Sequence, residues 1–60
     1  MCELTVMKPD RTILAEDVVY IRVDAGSIEL RSILGDVTTV QGTIAEIDIT
    51  NESAIIRTEG

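Results

Sequence analysis

The chain has 60 residues, with eleven Asp and Glu against five Lys and Arg and a formal net charge of −6. That surplus repels polyanions, and with one tyrosine and neither Phe nor Trp it lacks the basic face and stacking platforms of nucleic-acid readers, so no nucleic-acid partner is expected. No apolar run approaches the roughly 20 residues that cross a bilayer, so no membrane association is expected either.

Period-two alternation dominates and marks half-buried strands. A first strand is predicted over residues 2–7, with Cys2, Leu4 and Val6 on one face. Residues 8–11 form a turn whose Pro9 has no N–H to give to a ladder. Extended structure resumes over residues 12–14, and a central strand is predicted over residues 17–23. Val19, Ile21 and Val23 are expected on one of its faces, and Val18, Tyr20 and Arg22 on the other. Asp24, Ala25 and Gly26 supply a hairpin turn, after which Ile28 and Leu30 point inward.

Residues 32–36 form a second connection, with Gly35 at the turn and Ile33 and Leu34 expected to close an open end of the core. A long strand follows over residues 37–49. Its inward parity changes from Val40, Gly42 and Ile44 to Ala45, Ile47 and Ile49, which predicts a bulge near Gly42 or Ala45. A last turn at residues 50–53 leads to a closing strand over residues 54–58. No helix of ordinary length is expected.

These elements predict a single all-β domain spanning residues 1–60, a small SH3-like or Sm-like barrel of about five to six antiparallel strands. So short a chain buries only about 60% of its extended-chain surface and needs support beyond its own core. One cysteine cannot form an intrachain disulfide, so a homodimer is expected, with a terminal strand pairing with its twin to cover an edge. Met1, Cys2 and Glu3 open the chain with no signal peptide before them, so a reducing cytoplasm is the expected location.

Cys2 is the single cysteine in a chain without histidine. Its thiolate, the neighbouring backbone amide and the terminal amine form a donor set for a soft or borderline divalent metal, with nickel and copper favoured by geometry. If Met1 is removed, Cys2 offers amine and thiolate as a five-membered chelate. If Met1 stays, its amine, the Cys2 amidate and the Cys2 sulfur form two fused rings. The candidate metal residues are therefore Cys2 and Met1. The competing reading makes Cys2 a small apolar residue of the first strand. Zinc is disfavoured because it prefers tetrahedral Cys and His sets.

The remaining polar residues read as structural. Asp10, Asp24 and Asp36 fall at turns, where aspartate bonds the backbone two residues on. Glu46 and Asp48 bracket Ile47 and should project from one sheet face as solvated carboxylates, although a general acid and base or a hard cation could use that spacing. Tyr20 is expected to pack with its hydroxyl at the rim. Gly26, Gly35 and Gly42 fall in separate turns and strands with no helix following, so they form no phosphate loop. With no histidine base for Cys2 or any serine, an enzyme is not expected.

The opening Met1, Cys2, Glu3, Leu4, Thr5 and Val6 resembles the start of the CooT family of small nickel-binding proteins associated with carbon monoxide dehydrogenase maturation. Residues 16–21, 28–36 and 42–48 resemble that family's ordered blocks in the same order, so the likeness covers nearly the whole chain. It implies a homodimer of small β-barrels binding one nickel(II) near the twofold axis through the two Cys2 residues, as metallochaperone, store or sensor, with a nickel enzyme as maturation partner. Family members are also labelled predicted RNA-binding proteins. The alternative function is accordingly an Sm-like interaction module that binds a protein or RNA partner.

Overall fold

A computed structural model describes residues 3–59. Its strands are β1 (Leu4–Met7), β2 (Ile13–Asp24), β3 (Ser27–Ser32), β4 (Val37–Asp48) and β5 (Ser53–Thr58), with no helix among the described residues. Val, Ile and Thr recur through these runs, and their branching at Cβ suits an extended, pleated chain. Successive strands pair, and β1 then pairs with β5, so the five-stranded sheet closes on itself as a ring. The expected antiparallel order holds along the other seams. The β1–β5 seam is parallel and sets Thr5, Val6 and Met7 beside Ser53, Ala54 and Ile55. The terminal strands thus cover each other within one chain, which corrects the expectation that this edge needs a second copy.

Three turns share one construction. The carbonyls of Lys8, Ser32 and Ile49 each accept a hydrogen bond from the N–H three residues on, at Arg11 (2.9 Å), Gly35 (2.9 Å) and Glu52 (3.1 Å). All three donors lie at positive φ, 78°, 94° and 52° respectively. Pro9 occupies the second position of the first turn, where its fixed φ is already correct. The β2–β3 turn differs: it has two residues, Ala25 and Gly26, at φ 51° and 82°, between the paired Asp24 and Ser27. Positive φ at both positions gives the mirror-image turn that matches strand twist.

The core consists of Val6, Val18, Ile28, Leu30, Ala54 and Ile56, with Leu4, Leu14, Ala15, Ile21, Val40 and Ile44 packed against it. Burying a Val, Leu or Ile side chain contributes about 1.5–3 kcal/mol, and β4 adds no fully buried side chain of its own. Its buried residue is Gly42, where a Cβ would collide with the backbone carbonyl of Arg57 on β5. Gly42 is also where β4 changes partner, since residues up to Gln41 pair with β3 and Gly42 onward with β5. On β2 the change falls at Val18, which faces both Leu4 and Ser32.

Residues 12–14 and 17–23, expected as separate strands, are largely joined in β2, so the ring has five strands. A register shift between Val18 and Tyr20 also corrects the predicted face. Val18 is buried and Ile21 packs on the core, while Val19 and Val23 are exposed. On β4 the irregularity lies between Ile44 and Glu46, at one of the two expected places, but Ala45, Ile47 and Ile49, expected to turn inward beyond it, are exposed, with Ile47 at 49% and Ile49 at 59%. Ile33 and Leu34 do not close the core; they are 48% and 85% exposed. The reason is the tightness of their turn, in which Ser32 Oγ accepts from the N–H groups of Leu34 and Asp36 at 3.3 and 3.1 Å. The first described strand begins at Leu4, and the predicted extension to Cys2 lies outside the described residues.

Candidate metal centre and an acidic pocket

Cys2 and Met1, the metal ligands nominated by the sequence, lie outside the described residues. The chain just beyond them is firmly held. Leu4 pairs with Val18, and the Thr5 N–H donates to the Glu52 carbonyl at 2.9 Å, so the start of β1 is clamped between β2 and the β4–β5 turn. Among the described residues, no group of three or more His, Cys, Asp or Glu side chains could hold a metal ion.

Of the three turn aspartates, only Asp10 makes the expected side-chain bond to the backbone two residues on; Asp24 and Asp36 make none among the described residues. Asp10 Oδ1 accepts from the Thr12 N–H at 3.0 Å, the expected contact two residues on. That backbone hydrogen bond holds its carboxyl below the ordinary value, helped by the Thr12 side chain and opposed by slight desolvation. Asp24 lies 3.9 Å from Arg22 with both side chains well exposed, a geometry of little energetic weight. At Asp36 the turn is organised by Ser32 Oγ, which accepts from the Asp36 N–H.

Asp48 is engaged by Asn51, whose N–H and Nδ2 donate to its two oxygens at 3.2 and 2.8 Å. It is therefore a turn residue, while Glu46 stays exposed. Tyr20 faces outward at 42% exposure, with the Arg31 guanidinium 4.6 Å from its ring centroid and Arg31 also bonded to Glu29 at 2.9 Å. No polar or charged side chain is buried among the described residues.

One feature escaped the sequence reading. A pocket of about 400 Å³ opens between the first half of β2 and the turn of residues 32–36. Leu30, Leu14 and Ala15 line it together with the carboxylate residues Glu16, Asp17 and Asp36. The Ile33 N–H donates to the Asp17 carbonyl at 2.9 Å, and this bond ties the acidic stretch of β2 to the turn that ends at Asp36. The signal in the sequence was faint. Glu16 and Asp17 interrupt the apolar run of β2, and only the pairing of β2 with the β3–β4 turn turns that interruption into a wall.

No curated protein matches the chain. The family model described as CO dehydrogenase accessory protein CooT matches residues 1–57, a span that includes Cys2, β1 to β4 and nearly all of β5. The family is one of accessory proteins to carbon monoxide dehydrogenase, and a match over almost the whole chain places this protein in it: the chain belongs to the CooT family.

Proposed function

We propose that this protein serves carbon monoxide dehydrogenase, or another nickel enzyme, as a nickel(II)-binding accessory protein, with the metal as its cargo and Cys2 as the principal ligand. The family match carries the reading, because it runs through Cys2 in a chain with no other cysteine and no histidine. A thiolate with an adjacent amine or amidate suits square-planar nickel, and two protomers sharing one ion would complete four donors. Met1 contributes its amine where it is retained. The closed ring with two long strands changing partner supports the SH3-like or Sm-like comparison. Exposed Val19, Val23, Ile47 and Ile49 leave apolar surface for a homodimer. The cytoplasm remains the location in keeping with a reduced Cys2; no helix among the described residues is long and apolar enough to cross a membrane.

A titration of reduced, metal-free protein with nickel(II) tests this, followed by thiolate-to-metal charge-transfer absorption and native mass. One nickel per dimer is expected, with a band that Cys2→Ser abolishes and that fades in acid, because thiolate and amine must first lose their protons. Nickel binding unchanged in Cys2→Ser would overturn the reading and favour the interaction module.

A further inference from the structure

The pocket beside β2 has a built apolar floor. Leu30 is fully buried beneath it, and Leu14 and Ala15 are half-buried along its side. At its mouth stand Leu34 and Ile13, 85% and 52% exposed. Large aliphatic side chains held out in water around a concave surface mark a place where another surface rests. The volume of about 400 Å³ falls within the range of about 300–1,000 Å³ typical of ligand sites.

The charge at this pocket has one sign. Glu16, Asp17 and Asp36 line it, with no Lys or Arg among the lining residues, and none of the three is in a salt bridge among the described residues. Its wall is also preformed. The Ile33 N–H to Asp17 carbonyl bond, and that from the Ser32 N–H to the Asp36 carbonyl, both 2.9 Å, fix the turn against β2, so an occupant meets little ordering cost.

We propose that this pocket is the docking site for a cationic segment of a partner protein, in which a Lys or Arg faces Glu16, Asp17 and Asp36 while an adjacent aliphatic side chain lies over Leu30. Charge complementarity selects that occupant. A polyanion or an anionic lipid surface is repelled, and a second copy would bring its own net charge of −6 against the same carboxylates. Neither Cys2 nor Met1 enters the argument and the test uses metal-free protein, so its failure leaves the nickel reading where it stood.

The test is amide-resolved NMR of the labelled protein titrated with acetyl-Leu-Lys-Leu-Arg-amide and, separately, with acetyl-Leu-Glu-Leu-Glu-amide. The basic peptide is expected to shift amides of residues 13–17 and 34–38, more weakly as salt is raised, and the acidic peptide none of them. Glu16→Gln, Asp17→Asn and Asp36→Asn together should weaken binding on the order of tenfold, since each exposed pair contributes modestly. Asn tolerates the φ of 56° at Asp17, and unshifted amides on β5 and on β4 beyond Gln41 verify the fold of the variant. Leu34→Ser should weaken binding severalfold with the charges intact. Shifts scattered over Glu29 and Glu46, equal affinity in the triple variant, or pocket shifts driven by protein concentration alone, as a second copy would produce, each overturn the proposal.

Discussion

β3 and β5 are six residues long and bury the same two positions, the second and the fourth. β2 and β4 run for twelve residues, and each carries a register slip. The difference lies in partners. β3 runs between β2 and β4 over nearly its whole length, so one inward parity serves from end to end. A strand that leaves one neighbour for another must bend, and bending shifts its parity. In this ring the short strands carry the density of the core and the long ones carry its curvature.

The comparison predicts where the protein is most fragile. Leu30→Ala removes a fully buried side chain of a short strand and should cost about 2–5 kcal/mol. Stability of roughly 3–9 kcal/mol is ordinary for this length, so thermal or urea unfolding should find about half of the stability lost and the midpoint lowered by the most of any variant here. Gly42→Ala adds one methyl to a long strand and forces it against the Arg57 carbonyl; overpacking of this kind costs about 1–3 kcal/mol. A lower urea midpoint is expected, with NMR changes concentrated at the β4–β5 seam. A midpoint equal to that of the parent would mean that the bend of β4 does not depend on a bare backbone.

The smallest effect has the opposite sign. Ala25 holds φ 51° in the β2–β3 turn, a conformation that costs a side-chain-bearing residue about 1–2 kcal/mol and that Asn accepts more readily. Ala25→Asn should therefore raise stability by about 0.5–1 kcal/mol, read as a higher melting temperature with the core amides unmoved.

The same contrast explains what could be read in advance. Ile28 and Leu30 were legible because alternation alone decides a strand of constant partners, and the Ala25 and Gly26 turn was legible from its glycine. The place of the slip on β4 was visible in the pattern after Ile44, but the faces beyond it were not, since Ala45, Ile47 and Ile49 are exposed. The slip on β2 was not, because Val18, Val19, Ile21 and Val23 are all apolar and the pattern offers no polar marker for the outward face. Leu34 misled for a related reason: hydrophobicity indicates a wish for burial, and whether a turn this tight can grant it depends on where Ser32 directs the chain. The proposed ligands Cys2 and Met1 rest on donor chemistry alone and lie outside the described residues. The pocket was not legible, because its carboxylate residues come to line one surface only through the pairing of β2 with the turn of residues 32–36, which the Ile33 to Asp17 bond fixes.

The parallel seam of β1 with β5 bears on the timing of folding. Thr5 lies beside Ser53, nearly the whole chain away, and contacts of that separation form slowly and late. β1 leaves the ribosome before every other strand, yet its second neighbour is the last one synthesised. β1 is thus the first of the five strands to be made and waits longest for its second neighbour, so the segment adjoining Cys2 becomes fully seated only when β5 has emerged.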